Sequence, residues 1–172
     1  NDSIALGIGM VHQHFMLIPV FTVAENIMLG DETVKNGSLD RATVAAKINE
    51  ISKQHGLDVD PNAMVGTLPV GIQQRVEIVK TLYRNAEIVI LDEPTAVLTP
   101  QEAEDLFRIM RDLTKRGVSI IFITHNMEHA FLVADRFFVL RVGVKVGERL
   151  KGETNAEEIV KMITGGDIMM VR

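Results

Sequence analysis

The sequence contains no cysteine, which excludes disulfide bonds and metal sites built from thiolates and is consistent with a reducing compartment. It also lacks a hydrophobic run long enough for a transmembrane helix. The nearest candidate, residues 7–24, contains no Asp, Glu, Lys or Arg but is interrupted by His12, Gln13, His14 and Pro19. We expect this stretch to form a strand, a turn and a buried approach to a helix. No segment has the pattern of a secretory signal peptide.

Basic residues are outnumbered by acidic ones, 18 Lys and Arg against 23 Asp and Glu, for a net charge of −5. Because nucleic-acid-binding surfaces are normally basic, we expect no nucleic-acid partner. The hydrophobic fraction of 47% in 172 residues is sufficient for the core of one domain, or of one domain with a subdomain. The sequence opens with Asn1 rather than Met, and we therefore expect it to be a piece of a longer protein.

The pattern of helix and strand signals changes along the chain. Residues 22–85 are mostly helical by the spacing of their apolar residues, whereas strands and helices alternate through residues 86–135. With a first strand at residues 4–13, this order predicts an α/β core with a helical insertion after its first strand. Residues 137–149 are expected to form two short strands around Gly143. Capping residues predict where helices begin: Thr22 with Glu25, Asp40, Thr99 with Glu102, Asn126, and Asn155 with Glu158. Glycines predict where helices end: Gly30, Gly56, Gly117 and Gly165.

Two strand-like runs each end in residues with ionisable side chains. Residues 88–91 lead directly into Asp92 and Glu93, and residues 119–124 lead into His125. Continuous β-branched runs are typical of parallel strands buried on both faces, and ligands bind such sheets beyond the carboxyl ends of the strands. Two carboxylates and a histidine directed to one edge of a sheet therefore indicate a site for a metal–phosphate substrate.

Asp92 and Glu93 suit different tasks in such a site. Asp92, which follows four apolar residues, can hold Mg²⁺ through its carboxylate, in part by way of water. Glu93 points the other way, as successive strand residues do, and can act as the general base that polarises an attacking water. The alternative is that the acidic pair only ends a strand and begins a loop.

The remaining candidate residues carry weaker signals. Gln13 follows the first predicted strand, where its amide oxygen can reach Mg²⁺ or water, and His125 can contact the same phosphate. Residues 68–75 lead into a helix, and Gly71 there would allow backbone N–H groups to approach an anion. Each also has a plain structural interpretation: a loop amide, a structural histidine, and an ordinary loop made rigid by Pro69.

Taken in order, these motifs resemble the nucleotide-binding domain, or ATP-binding cassette, of ABC transporters. The five elements are a glutamine loop at Gln13, a signature at residues 68–75, a Walker B motif at 88–93, a D-loop at 95–99 and a switch histidine at His125. The resemblance covers nearly the whole chain. The segments GMVHQHF, residues 9–15, and GIQQRVEI, residues 71–78, are similar to the first cassette of bacterial importers of simple sugars and nucleosides.

The resemblance implies a fold and a subdivision of the chain. The fold would be a P-loop NTPase-like parallel sheet of the α/β class, with flanking helices and an inserted α-helical subdomain. Residues 1–14 and 86–150 would form a RecA-like core, residues 15–85 the helical subdomain, and residues 151–172 a C-terminal helix and the start of a linker.

The same resemblance implies ATP and Mg²⁺ as cofactors and gives each candidate a role. Asp92 and Gln13 would serve Mg²⁺, Glu93 the attacking water, and His125 the γ-phosphate. Gln13 would also link the site to the membrane subunit. The longer protein would be an ABC-type ATPase that couples ATP hydrolysis to uptake of a sugar or nucleoside across the cytoplasmic membrane.

The implied partners are a second ABC cassette, possible within the same longer chain, transmembrane permease subunits, and indirectly a solute-binding protein. The signature, with Gly71 and Gln73, would close over ATP held by the second cassette. Residues 15–29 would lie where a permease docks, although their apolar members suit a subdomain core equally well. The implied location is the cytoplasmic face of the cell membrane, as a peripheral protein.

Several departures from the family pattern affect these expectations. Pro69 stands where the family signature has Ser, Ile72 where it has Gln, and Thr99 where the D-loop has Asp. No G-x-x-x-x-G-K-[ST] loop and no Gly-Lys dipeptide occur, so the backbone cradle for phosphates and its strand are absent. We therefore expect an incomplete sheet with an unpaired edge, and self-association or local disorder of the chain.

For the same reason, we expect the chain alone to bind ATP poorly and not to hydrolyse it. The alternative function is a non-catalytic module that docks a permease or a partner cassette. A DNA-repair type of ABC ATPase is disfavoured, because only 54 residues separate Gln13 from Leu68 and that class inserts a long coiled coil there.

Overall fold

The structure, a computed structural model, describes residues 2–30, 34–35 and 38–166. The chain divides into two compact units, residues 1–123 and 124–172, which we describe separately. Residues 167–172, the last part of the predicted C-terminal helix and linker start at residues 151–172, lie outside the described residues.

The described residues form seven helices and seven strands, with single 3₁₀ turns at Val65–Thr67 and Lys151–Glu153. The helices are α1 Asp2–Ala5, α2 Val23–Met28, α3 Arg41–His55, α4 Val70–Tyr83, α5 Pro100–Lys115, α6 Met127–Val133 and α7 Ala156–Thr164. The strands are β1 Ile8–Val11, β2 Val34–Lys35, β3 Ser38–Leu39, β4 Ile88–Asp92, β5 Ser119–Ile123, β6 Arg136–Arg141 and β7 Val144–Leu150. None of the helices in these parts of the chain has both the length and the apolar character needed to cross a membrane.

A three-stranded parallel sheet forms the centre of the first unit, in the order β1-β4-β5. Val89 pairs with Gly9 on one side and with Ile120 on the other, so β4 is bonded along both edges. Because the three strands are parallel, their carboxyl ends meet at the same edge of the sheet. The predicted α/β fold, a parallel sheet with flanking helices, is confirmed.

Helix α4 packs directly against β1, and a glycine makes the close approach possible. A Cβ atom at Gly9 would lie only 2.7 Å from Thr81 Cβ, so a larger residue could not occupy this position without a shift of the helix. The apolar residues Val76, Ile78 and Val79 of α4 are fully buried. The helix is therefore held firmly against an outer strand of the sheet.

The helix boundaries follow local capping signals. Thr22 and Glu25 form a complete capping box at α2, and Thr99 and Glu102 form another at α5, where Pro100 is the first helical residue. The other predicted caps and stops that the structure confirms are Asp40, Asn126, Gly56 and Gly165. Each of these boundaries depends on contacts within about one helical turn, and the sequence alone is therefore sufficient to predict them.

The second unit is built on an antiparallel hairpin. Strands β6 and β7 pair around Val142 and Gly143, which both have positive φ, as a two-residue hairpin turn requires. One buried cluster joins the hairpin to helices α6 and α7 and consists of Ala130, Phe137, Val139 and Ile159. The two short strands predicted around Gly143 are confirmed.

The first predicted strand is wrong at its N-terminal end. Residues 4 and 5 belong to α1, and β1 starts only at Ile8. Gly7 separates the two elements: its N–H donates to the Ile4 carbonyl at 3.0 Å and its φ is +73°. That left-handed conformation favours glycine and reverses the chain between helix and strand. Gln13 lies in a bend beyond β1 and not within the strand.

One predicted capping box also differs from the structure. Asn155 caps α7 by accepting the Glu158 N–H at 2.9 Å, but the Glu158 carboxylate does not complete the box. It accepts hydrogen bonds from Thr154 Oγ1 at 2.7 Å and Arg149 Nε at 2.8 Å, since these stronger donors are within reach. The predicted stop of α2 is consistent with the structure: the helix ends at Met28, Leu29 is its C-cap, and Gly30 follows with a φ of +81°.

Strand β5 is an edge strand within the described part of the chain. It is bonded to β4 on one side only, and the side chains of Ile121 and Ile123 are 49% and 45% exposed. The continuous apolar run predicted a strand buried on both faces, and for β5 that prediction is wrong, because Ile121 and Ile123 are about half exposed. The finding agrees with the expected unpaired edge.

Candidate functional site

The turn after β4 carries the two acidic candidates. Asp92 is the last residue of β4 and Glu93 follows it directly, and both side chains are half-buried. Glu93 has a φ of +46°, an unusual conformation for a residue with a side chain, which generally costs about 1–3 kcal/mol. Its backbone N–H donates to the carbonyl of Ile123 at the end of β5, at 2.9 Å. The strained turn is therefore anchored to the neighbouring strand.

Gln13 is brought to the same sheet edge by the register of the strands. Val11 pairs with Leu91, so Gln13 and Glu93 each lie two residues beyond a paired position of adjacent parallel strands. The Gln13 side chain is exposed, in a segment without regular structure. The structure thus places an amide and two carboxylates, the latter from Asp92 and Glu93, at one edge of the sheet.

The donor set at this edge suits Mg²⁺ better than a tightly held transition metal. Asp92 and Gln13 offer a carboxylate and an amide oxygen, and hard oxygen ligands are those that Mg²⁺ prefers. Among the described residues, no three His, Cys, Asp or Glu side chains converge on a common point. A partial protein ligand set of this kind fits an ion that keeps several waters and shares substrate phosphates.

His125 belongs to the second unit, two residues beyond the end of β5. Its side chain is exposed. The chain around it is shaped by its neighbours: the Asn126 N–H donates to Thr124 Oγ1 at 3.0 Å, and Asn126 Oδ1 accepts the His129 N–H at 3.0 Å to cap α6. His125 therefore directly precedes a helix whose first turn is capped within the second unit.

The segment of residues 68–75, called here the signature segment, forms the start of α4. Pro69 is the N-cap residue and makes no side-chain capping bond. Gln73 Nε2 donates to the Leu68 carbonyl at 2.9 Å and folds the segment onto itself. Gly71 lies in the first turn of the helix, where its N–H has no partner within the helix itself.

The Gly71 N–H is directed to a carboxylate of the same chain. It donates to Glu102 Oε1 at 3.3 Å, and a Cβ atom at Gly71 would lie 2.7 Å from that oxygen. The backbone N–H and then the hydroxyl of Thr99 lower the pKa of Glu102, so its carboxylate is ionised at neutral pH. The predicted anion-binding glycine therefore has an internal anion beside it.

Two buried polar side chains of α4 were missed by the sequence reasoning. Gln74 Nε2 donates to the Pro94 carbonyl at 2.6 Å, and Glu77 Oε1 accepts the Met16 N–H at 2.9 Å. Burial raises the pKa of Glu77, while Lys80, the Met16 N–H and His12 act in the opposite direction. The available signal was periodicity: residues 74, 77 and 81 place Gln, Glu and Thr on one face of a helix otherwise rich in apolar residues.

Comparison with known proteins identifies what this arrangement is similar to. The model of the family described as ABC transporter matches residues 2–96. The nucleoside import ATP-binding protein NupA of Lactococcus lactis is 49% identical over 166 residues, which are 96% of this chain and 33% of that protein. The guanosine import ATP-binding protein NupO of Bacillus subtilis is 47% identical, over 98% of this chain and 33% of that protein.

A third relative, the ribose import ATP-binding protein RbsA of Hahella chejuensis, is 43% identical over 98% of this chain and 34% of its own length. The chain thus spans about a third of the length of the curated relatives it matches. Among solved structures, cbiO1 from Clostridium perfringens, part of the ABC transporter complex cbiONQ, aligns with a TM-score of 0.71 and 25% identity over 90% of this chain and 61% of that chain. The dimeric ABC transporter cassette MJ0796 aligns with a TM-score of 0.66 and 27% identity, over 84% of this chain and 62% of that chain.

Proposed function

Because this chain belongs to the ABC transporter family, we propose that it is part of the ATP-hydrolysing subunit of an importer for a sugar or nucleoside. One observation carries the proposal: three adjacent parallel strands end at one edge of the sheet, and Gln13, Asp92 with Glu93, and His125 follow those ends. This is the order in which the family's glutamine loop, Walker B motif and switch histidine occur.

In the proposed site, Asp92 and Gln13 would hold Mg²⁺, which would supply positive charge against the phosphate oxygens of ATP. Glu93 is the general base: a water attacks the γ-phosphorus, its proton moves to the Glu93 carboxylate, and the bond to ADP breaks. General-base catalysis of this kind contributes about 10²–10⁴ in rate. His125 contacts the γ-phosphate. Gly71 and Gln73, from the signature segment, act on ATP held by a second cassette, whose phosphate must compete with Glu102 for the Gly71 N–H.

The proposed subdivision follows the family. Residues 1–14 and 86–150 are the RecA-like core, residues 15–85 the helical subdomain, and residues 151–172 the C-terminal helix and start of a linker. The proposed partners are a second ABC cassette, a transmembrane permease that docks near residues 15–29, and indirectly a solute-binding protein. The proposed location is the cytoplasmic face of the cell membrane.

A second function, a non-catalytic module that docks a permease or partner cassette, is favoured by the signature segment. Pro69 offers neither a hydroxyl nor an N–H to a phosphate, and the Gly71 N–H is already bonded within the chain. The Glu93 and His125 side chains favour catalysis instead. The two functions differ in what the loss of Glu93 does.

The test replaces Glu93 by Gln in the full-length protein that contains this chain. We expect ATP hydrolysis at this site to fall by about 10²–10⁴-fold, because an amide cannot accept the proton of the attacking water. Glu104→Gln, an exposed position on α5, is the matched control and should keep the wild-type rate. An unchanged rate in Glu93→Gln would favour the docking module.

The chain by itself is a separate case. Since it contains no phosphate-binding loop, we expect titration calorimetry of the isolated chain to detect no micromolar binding of ATP. Micromolar affinity would contradict the expectation that tight binding of the ATP phosphates requires a phosphate-binding loop, which this sequence does not contain.

A further inference from the structure

We propose, building on the ATPase function proposed above, that Gln74 and Glu77 are positioning residues that hold the loops carrying Glu93 and Gln13 on one face of α4. Neither residue belongs to the set of candidate residues assigned to Mg²⁺, water or phosphate above. Each instead makes one hydrogen bond from the buried face of the helix to the backbone of one loop.

Gln74 fixes the loop that carries Glu93. Its side chain is 2% exposed, and its amide donates to the carbonyl of buried Pro94, the residue directly after Glu93. The peptide on the other side of Glu93 is held by the bond to the Ile123 carbonyl. Because Glu93 has a positive φ, its backbone remains in that conformation only while the contacts on both sides persist.

Glu77 fixes the loop that carries Gln13. Its side chain is 3% exposed, and its carboxylate accepts the N–H of Met16, three residues after Gln13. Residues 14–18 form no regular secondary structure, so this contact is a tertiary anchor between the loop and α4. A leucine in place of Glu77 would leave the Met16 N–H without its acceptor and would remove this contact between the loop and the helix.

The two anchors lie one helical turn apart on a helix that is itself fixed. Residues three apart share a helix face, and α4 is packed through fully buried apolar residues and the close contact of Thr81 with Gly9. The distance between the two loops is therefore set by the helix. Since α4 begins in the signature segment, a displacement of that segment by a second cassette would move both loops together.

The test measures kinetics and amide exchange in the full-length protein that contains this chain. Gln74→Leu and Glu77→Leu should lower kcat about 10- to 100-fold while KM for ATP changes little, because the reacting groups are displaced by a fraction of an ångström to an ångström. Glu77→Gln keeps an acceptor oxygen and should retain most of kcat. The exposed Gln101→Leu and Glu104→Leu, both on α5, are the matched controls and should behave as wild type.

Hydrogen exchange gives a second readout that does not depend on turnover. The Met16 amide should be protected in the wild type and in Glu77→Gln, and should exchange at least tenfold faster in Glu77→Leu. If Glu77→Leu does not fold, Gln74→Leu and Glu77→Gln still provide the kinetic and exchange comparisons. Unchanged kcat in Gln74→Leu, or a Met16 amide that is unprotected in the wild type, would overturn the positioning roles.

The Glu93→Gln variant separates this inference from the proposed function. If Glu93→Gln lowers hydrolysis and Gln74→Leu does not, the positioning inference is wrong and the ATPase function stands. If Glu93→Gln leaves hydrolysis unchanged, the ATPase function proposed for this chain is wrong, and the kinetic part of the inference is wrong with it.

Discussion

Strands β4 and β5 are neighbours of similar composition, but their surroundings differ. Strand β4 is bonded to β1 and β5, and its residues Val89 and Leu91 are 0% and 1% exposed. Strand β5 is bonded to β4 alone, and Ile121 and Ile123 are about half exposed. Both runs predict strands, but only the neighbours present in the fold decide whether the apolar side chains are buried.

The difference has a physical consequence for each strand. Burial of an aliphatic side chain stabilises a fold by roughly 1.5–3 kcal/mol, which β5 obtains only in part. Its free edge also presents unpaired N–H and C=O groups, and residues 119–123 contain no charge or proline to discourage pairing with another chain. Strand β4 therefore contributes stability, while β5 is exposed to association.

The largest expected effect is on stability at the centre of the sheet. Leu91→Ala should lower the free energy of unfolding of the first unit by about 2–5 kcal/mol, because it leaves a cavity in a filled core. Ile121→Ala on β5 should cost less than about 1 kcal/mol, since much of that side chain is already in water. Urea unfolding followed by Tyr83 fluorescence reports on this unit, because the chain has one tyrosine and no tryptophan. Equal losses in the two variants would contradict the comparison.

The next effect concerns the free edge of β5. We expect the isolated chain to self-associate in sedimentation velocity experiments, with a concentration-dependent distribution. Ile121→Lys and Ile123→Lys together should reduce the association, since charge on an edge strand opposes pairing. Val97→Lys replaces another exposed apolar residue, outside β5, and should not change the association. A monodisperse wild-type monomer whose β5 amides are fully protected from exchange would contradict the prediction.

The smallest effect is a pH dependence from the buried Glu77 on helix α4, which packs against β1. The raised pKa of Glu77 means that the folded state holds this proton at pH values where the unfolded chain has released it. The contribution of Glu77 to stability therefore falls as pH rises from the ordinary glutamate range through its folded pKa, and is lowest above that folded pKa. Glu77→Gln should remove this fall, so that its unfolding midpoint in urea, relative to wild type, increases as the pH is raised from the ordinary glutamate pKa of 4.5. A difference that stays constant as the pH is raised would show that the pKa of Glu77 is not raised in the folded state.

The placement of most candidate site residues could be predicted from the sequence because it follows a positional rule. Asp92, Glu93 and Gln13 come directly or closely after strand-like runs, and parallel strands bring their carboxyl ends to one edge. Gln74 and Glu77 could not be found in this way. A glutamine or glutamate within a helix carries no local signal of its partner, and Pro94 and Met16 are distant in sequence from them.

The sequence by itself determined the helix boundaries at Thr22, Thr99, Gly56 and Gly165, because these depend on hydrogen bonds within one helical turn. It also determined the class of fold and the residues that follow each strand, because these depend on the periodicity of apolar residues. Only the tertiary structure decided that β5 lies at an edge, that Glu102 bonds the Gly71 N–H, and that one face of α4 anchors two loops. These features depend on contacts between residues at least 20 positions apart, which packing creates and no local pattern encodes.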